Sequence, residues 1–151
     1  MITTKFSLEL IEEENFDSIG MGDSPDAVWH ALRKVKLNSM PEEHMYVLFL
    51  SNRLEIVGIS EVAHGGVSEM YVDVSNIFKR ALLCNAKNII LAHNHPSGGT
   101  IRPSNQDLAL TERVRDAGNV IGIDLLDHMI VSTDGYYSML EHDEEVMKCT
   151  K

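Results

Sequence analysis

The chain has 151 residues, 44% of them hydrophobic, which suits a single domain with a substantial buried core. Its formal net charge of −10 argues against a surface that binds nucleic acid through clustered Lys and Arg. No window is apolar enough for a membrane helix and no signal core follows the N-terminus, so we expect a cytoplasmic protein that does not bind membranes. We expect one domain over residues 1–151, with an N-terminal extension at 1–22 and a core at about 24–140.

In the first part of the chain, the residue pattern predicts a helix and a hairpin. Ser24 and Pro25 suit the cap and the first position of a helix, in which Trp29 is expected to pack rather than bind a ligand. Residues 45–50 and 54–62 predict two strands that pair as a hairpin.

The middle of the chain predicts one helix and one strand. His64-Gly65-Gly66 should break the second strand of the hairpin. At 73–84, apolar residues recur at helical spacing, which predicts a helix that covers one face of the sheet. Residues 88–92 predict a buried strand, and their apolar run ends abruptly at His93.

The last part predicts a further helix and two further strands. The helix runs from about Ser104 to Ala117 and ends at Gly118. Strands are predicted near 120–123 and 129–132. Strands that alternate with covering helices predict an α/β fold with a mixed sheet.

The cysteines and the basic residues argue against a disulfide scaffold, a thiolate zinc site and a nucleic-acid-binding surface. Cys84 and Cys149 form no Cys-x-x-Cys pair, so they predict free thiols rather than a disulfide scaffold or a thiolate zinc site. The basic groups at 33–36 and 79–80 are typical of the solvated faces of helices. We therefore do not expect direct contact with nucleic acid.

The residues between the strand at 88–92 and the helix at 104–117 concentrate groups that bind metal ions. His93 and His95 project to the same side of an extended strand, so two neutral imidazoles can reach one ion. Asp107 adds a carboxylate oxygen from the first turn of the helix. Three protein ligands leave room for a water, which is the arrangement of a catalytic zinc site rather than a closed structural one.

Each part of this pattern also has a purely structural explanation. Ser104-x-x-Asp107 fits a capping box at the start of a helix, and a His-x-His pair is often hydrogen-bonded without a metal. The two features surround one loop at the end of an apolar strand, where open α/β sheets bind their ligands. This coincidence favours the metal site.

The order His-x-His-Pro followed by Ser-x-x-Asp resembles the metal-binding motif of the JAMM (MPN) metallopeptidases. The longer segments 91–98 and 125–131 resemble the bacterial RadC family, and the likeness extends from about Ser24 to Tyr137. It implies a JAMM/MPN-type mixed sheet with helices on both faces, similar to the cytidine deaminase-like fold. Full-length RadC proteins carry an N-terminal helix-hairpin-helix region, for which this chain is too short, so it is more similar to the short stand-alone forms.

The same resemblance implies a general base and a zinc-dependent peptidase or isopeptidase. JAMM proteins place a glutamate just before an early core strand, and Glu43 occupies that position here, with Glu42 as the fallback. Without the resemblance, both are ordinary exposed charges at the start of a strand. Glu43 would accept a proton from a Zn²⁺-bound water that attacks an amide, and Ser104 would donate a hydrogen bond to the resulting oxyanion. The N and O ligands would also accept manganese or iron.

Two other functions fit parts of the sequence. The RadC family's association with DNA repair implies an accessory protein of repair or of mobile elements, which acts through DNA-repair partners and keeps a non-catalytic metal. A base deaminase is excluded because its His-x-Glu and Pro-Cys-x-x-Cys signatures are absent.

Asp127 and His128 either support a site or lie at a sheet end, because their spacing does not join them to His93 and His95. The peptide or protein substrate is not defined by the sequence.

Overall fold

The computed structural model describes residues 19–65, 72–96 and 101–148, and its centre is one five-stranded sheet. The strands are β1 (Glu43–Leu50), β2 (Ile56–Gly65), β3 (Asn88–Asn94), β4 (Asp124–Val131) and β5 (Tyr136–Ser138). They lie in the order β2-β1-β3-β4-β5. β3 and β4 run parallel and the other neighbours run antiparallel, so the predicted mixed sheet is confirmed.

Helices cover both faces of this sheet, as the resemblance implied. They are α1 (Pro25–Lys34), α2 (Val74–Leu83), α3 (Asn105–Ile121) and the two short helices α4 (Met139–His142) and α5 (Glu144–Met147), and a 3-10 turn lies at Leu37–Ser39. On one face, Leu32 of α1 belongs to a buried cluster with Leu48. On the other face, Phe78 of α2 and Val114 of α3 belong to a cluster with Leu91. The helices α1, α2 and α3 therefore each bury one apolar stripe against the sheet.

The start of α1 is as predicted. The Ser24 hydroxyl accepts a hydrogen bond from the Ala27 backbone N–H at 3.3 Å, and Pro25 is the first helical residue. Trp29 is only 8% exposed, and its ring centroid lies 5.9 Å from that of Tyr136. Trp29 is therefore a packing residue, as expected.

The predicted hairpin is confirmed, but its second strand is longer than expected. β2 continues through His64 to Gly65, whereas the prediction broke it at His64-Gly65-Gly66, of which Gly66 lies outside the described residues. Two cross-strand pairs, His44 with His64 and Glu43 with Gly65, extend the ladder. Because this backbone pairing compensates for the weak strand propensity of glycine, the strand does not end at the local sequence signal.

The end of α3 differs from the prediction because Gly118 has a tertiary role. The helix runs past Gly118 to Ile121 and ends at Gly122, whose φ of 85° is the left-handed conformation that glycine adopts readily. A Cβ at position 118 would lie 2.3 Å from the carbonyl oxygen of Ile123. Glycine is needed at 118 for this close approach, and the helix does not stop there.

Two further corrections follow from the position of Gly122. The strand predicted near 120–123 is wrong, because Val120 and Ile121 belong to α3, Gly122 caps the helix and β4 begins only at Asp124. The strand predicted near 129–132 is the second half of β4, which already begins at Asp124.

Cys84 is a half-buried free thiol, as predicted, and Cys149 lies outside the described residues. Within the described part of the chain, no helix has the length and apolar character needed to cross a membrane.

Candidate metal centre

His93 lies inside β3 rather than after its end. The apolar run stops at Ala92, but the strand continues to Asn94, and His93 and Asn94 are 0% and 1% exposed. Buried polar groups require hydrogen-bond partners, and both side chains have them within the protein. These partners, which lie far away in the sequence, allow the strand to extend beyond its apolar residues.

The three predicted ligands meet at His93. The Nε2 atom of His93 lies 3.1 Å from Nε2 of His95 and 3.3 Å from Oδ1 of Asp107. Ligands at 2.0 to 2.1 Å from a tetrahedral zinc ion are separated from one another by about 3.3 to 3.4 Å. The two separations thus suit donor atoms that share one ion.

Asp107 uses its two carboxylate oxygens for different purposes. Oδ2 accepts hydrogen bonds from the backbone N–H and the hydroxyl of Ser104, each at 2.7 Å, while the Ser104 hydroxyl accepts from the Asp107 N–H at 3.2 Å. This is a complete capping box at the start of α3. Oδ1 remains directed at His93. The structural and metal-binding interpretations of this motif are therefore compatible, because the cap orients the ligand.

Among the described residues, two groups of three side chains bring their ligand atoms within 4.8 Å of one another. One contains Glu43, His93 and His95, and the other contains His93, Asp107 and His128. His93 belongs to both groups. The predicted set of His93, His95 and Asp107 is not itself one of these groups, because His95 and Asp107 each lie close to His93 but fall in different groups. The nitrogen and carboxylate donors around His93 are of the types that bind a divalent transition metal.

The protonation states of these residues favour metal binding. Burial lowers the pKa of His93 to about 4, against the opposing effect of Asp107, and burial also lowers the pKa of His128 to about 3. Both imidazoles are therefore neutral at pH 7, the form that binds a metal. Burial opposes ionisation of Asp107, but its polar neighbours, including the Ser104 hydrogen bonds, hold its pKa below the usual value.

Glu43, the predicted base, lies at the first position of β1 and beside the histidines. It shares a group with His93 and His95, whereas Glu42 is exposed and belongs to neither group. Partial burial raises the pKa of the Glu43 carboxyl, while His95 opposes and Asp107 reinforces this effect. A raised pKa makes a carboxylate a better proton acceptor, so the environment suits a general base.

Asn94 holds the segment that carries Glu43. Its amide N–H groups donate to the backbone carbonyls of Met40 at 3.1 Å and Glu42 at 2.8 Å, and its side-chain oxygen accepts from the His44 backbone N–H at 2.7 Å. These bonds fix the backbone on both sides of Glu43. The middle residue of the His-Asn-His sequence therefore contributes to the site from the opposite side of the strand.

We expect Asn94→Ala to lower the free energy of unfolding by about 2 to 4 kcal/mol, because it removes three part-buried hydrogen bonds to the backbone. Urea denaturation measures this loss. The matched control is Asn88→Ala at the other end of β3, where the side chain makes one bond, to the Ser51 carbonyl at 3.3 Å. The control should cost about 1 kcal/mol. Equal losses would contradict a special role for the Asn94 bonds.

Comparison with known proteins agrees with this geometry. A family model described as RadC-like JAB domain matches residues 22–145. The chain belongs to the RadC family. A UPF0758 protein of Porphyromonas gingivalis is 46% identical over 101 residues, which cover 67% of this chain and 44% of that protein. A UPF0758 protein of Rubrobacter xylanophilus is 39% identical over 111 residues, or 74% of this chain and 48% of that protein.

A third RadC relative, a UPF0758 protein of Alkaliphilus oremlandii, is 37% identical over 118 residues, which cover 78% of this chain and 50% of that protein. The chain thus spans about half the length of these curated relatives. Membership of the RadC family and the mixed α/β fold were both expected from the sequence. The names of these relatives assign no reaction.

Sequence reasoning undervalued His128 in this RadC domain. Its Nε2 atom lies 2.9 Å from Nδ1 of His93, and the residue is fully buried. β4 pairs in parallel with β3 so that His128 lies opposite Leu91, on the same face as His93. The signal that could have revealed this was the parallel pairing of two apolar segments, which places residues on adjacent strands side by side.

Asp127, in contrast, has a structural role. Its carboxylate accepts hydrogen bonds from the Ser138 hydroxyl at 2.6 Å and from the Leu140 backbone N–H at 2.9 Å. These bonds attach the β5–α4 connection to β4. Burial raises the pKa of Asp127, although the bonds from Ser138, Leu140 and His128 oppose the effect. Asp127 thus supports the fold, since its carboxylate bonds to Ser138, Leu140 and the His128 backbone N–H.

Proposed function

We propose that the chain is a zinc-dependent hydrolase that cuts an amide bond in a peptide or an isopeptide. The observation that carries this proposal is the position of Glu43, a carboxylate with a raised pKa, beside His93 and His95. Metal ligands alone are found in structural sites, whereas a partly buried base beside them is typical of hydrolytic sites.

His93, His95 and Asp107 would hold the ion. A zinc ion at such a site lowers the pKa of water and polarises a carbonyl group. His93 lies in β3, His95 directly follows that strand, and Asp107 lies in the first turn of α3. Two imidazoles and one carboxylate form a ligand set that zinc shares with manganese and iron, and zinc is our proposal among them.

Glu43 would act as the general base. The Asn94 bonds to the neighbouring backbone fix its place at the start of β1, so the main chain that carries the carboxylate needs little reorganisation before a proton is accepted. The proton taken from water would then be passed to the amine that leaves the cleaved amide, as in general acid–base catalysis. Its raised pKa favours the first of these transfers.

Ser104 would stabilise the oxyanion that forms on the amide carbonyl. In this structure its hydroxyl donates to Oδ2 of Asp107 at 2.7 Å, so the hydroxyl must rotate away before it can donate to substrate. The backbone N–H of Ser104 would keep Oδ2 in place during this rotation, because it bonds to the same oxygen. The hydroxyl oxygen can keep its capping bond from the Asp107 N–H during this rotation, so the capping role and the proposed catalytic role are compatible.

We expect Ser104→Ala to cost about 1 kcal/mol of stability through loss of the cap and to lower kcat by about 10²- to 10³-fold through loss of the oxyanion donor. Thermal denaturation and steady-state kinetics measure the two effects separately. Ser104→Thr is the matched control, since it keeps the hydroxyl and should retain most of both. A Ser104→Ala chain that loses stability but keeps its full kcat would reduce Ser104 to a cap.

The net charge of −10 supports a peptide or protein substrate over direct binding of nucleic acid. In the basic groups, Arg33 lies over the Trp29 ring at 5.8 Å, and Arg80 donates to the Ser60 hydroxyl and the Asn76 carbonyl. These residues are engaged within the protein. A role among DNA-repair proteins would therefore be exerted through protein partners.

The test is cleavage of a proteome-derived peptide library by the zinc-loaded chain, with mass spectrometry of the products. We expect cleavage that stops when the ion is removed by a chelator and returns when zinc is added. An isopeptide-linked substrate panel, run in parallel, assigns the bond type. A fully zinc-loaded chain that cleaves neither panel would contradict hydrolysis and would leave the accessory function with a non-catalytic metal.

A further inference from the structure

A chain of side chains joins α3 to the side of His93 that faces away from Asp107. The Thr111 hydroxyl lies 2.7 Å from Nδ1 of His128, and Nε2 of His128 lies 2.9 Å from Nδ1 of His93. All three residues are 0% exposed. Their polar atoms are therefore shielded from bulk water, so each N–H group and lone pair must find its partner within the protein.

Thr111 determines the direction of these hydrogen bonds. Its hydroxyl oxygen also lies 2.6 Å from the backbone carbonyl oxygen of Asp107, which can only accept. With its single proton donated there, in preference to the weaker acceptor Met139 Sδ at 3.3 Å, the hydroxyl oxygen is left to accept from the Nδ1–H of His128. A neutral His128 then carries a lone pair on Nε2 and accepts from the Nδ1–H of His93.

We propose that Thr111 and His128 are positioning residues that keep the proton of His93 on Nδ1 and leave a lone pair on Nε2. That nitrogen faces Asp107 and His95, so the inference rests on the proposed role of His93 as a metal ligand. With the opposite direction of bonding, a proton on Nε2 would block the ligand position. The tautomer of a metal-binding histidine is commonly set by the hydrogen bond of its other nitrogen.

His128 is better placed to support His93 than to bind the same ion. It shares a group of possible ligands with His93 and Asp107. However, His128 contacts the Nδ1 atom of His93, whereas Asp107 lies 3.3 Å from Nε2. The two nitrogens of an imidazole point in different directions, so an ion bound between Nε2 and Asp107 lies away from His128.

The test uses two variants of Thr111 in the full chain. Thr111→Val has nearly the same shape but cannot accept the His128 proton, whereas Thr111→Ser keeps the hydroxyl. We expect both imidazoles to carry their proton on Nδ1 in the parent and in Thr111→Ser, and on Nε2 in Thr111→Val. Long-range ¹H–¹⁵N NMR correlations of the histidine rings, recorded after the metal is removed with a chelator, distinguish these tautomers.

Zinc affinity, measured by competition with a chromophoric chelator, gives a second readout. We expect Thr111→Val to bind zinc about 10- to 100-fold more weakly than the parent and Thr111→Ser to stay within about threefold. A proton on Nε2 of His93 in the parent would overturn the proposal. So would equal zinc affinities of the two variants. If the parent itself binds no zinc, the proposed hydrolase function fails, whereas the tautomers still decide this inference.

Discussion

The Glu43→Gln chain is expected to retain its zinc and to lose about 10²- to 10⁴-fold in kcat. The substitution keeps the size of the side chain and a hydrogen-bonding oxygen, but an amide does not accept a proton from water. The ligands His93, His95 and Asp107 are unchanged, so zinc content by mass spectrometry should equal that of the parent. Turnover is measured on a substrate identified with the peptide library.

The matched control for this variant is Glu42→Gln. Glu42 is the preceding residue and is exposed, so it tests the general effect of removing one negative charge near the start of β1. We expect its kcat to stay within about twofold of the parent, because surface charges contribute little. A larger loss of kcat in Glu42→Gln than in Glu43→Gln would contradict the proposal, because it would show that Glu42 and not Glu43 is the base.

The second large effect is on metal content. Purified without added metal, the parent should contain about one zinc ion per chain, and the His93→Ala, His95→Ala double variant should contain none. The physical reason is that two of the three protein ligands are removed, and the remaining Asp107 carboxylate binds zinc weakly by itself. Inductively coupled plasma mass spectrometry measures the stoichiometry.

Two exposed histidines provide the control for this experiment. His30 and His142 lie on the surface near carboxylates, with His30 3.5 Å from Asp26 and His142 in the acidic C-terminal segment. Their double substitution by alanine removes the same number of imidazoles but should leave zinc content unchanged. A parent chain that stays free of metal, even after zinc is offered and the excess removed, would contradict the proposed mechanism.

The elements with complete local signals were predicted correctly. α1 has its cap at Ser24 and its proline at the first position, and α2 begins after Asp73, whose carboxylate accepts from the Ser75 backbone N–H at 2.8 Å. Both signals lie within a few residues of the element that they start. The pair of histidines at 93 and 95 was similarly readable, because alternation along a strand is a local property.

The errors have long-range causes. Gly118 looked like a helix end because its close contact with Ile123 is made by tertiary packing, and nothing nearby in the sequence announces it. His93 and His128 are 35 residues apart, and Asn94 and Met40 are 54 apart, so only the pairing of strands brings them together. The sequence thus predicted residues that meet at the candidate metal centre, but not the residues that hydrogen-bond to them from elsewhere in the chain.

The shared carboxylate of Asp107 has a thermodynamic consequence. One oxygen anchors the first turn of α3 and the other faces His93, so occupancy of the ion site and ordering of that turn draw on the same side chain. Such a linkage is reciprocal: the free energy by which ion binding stabilises the ordered turn equals the free energy by which the ordered turn stabilises ion binding. Binding of an ion should make the backbone amides at the start of α3 more resistant to hydrogen exchange. A partner that binds and orders the start of α3 should slow release of the ion.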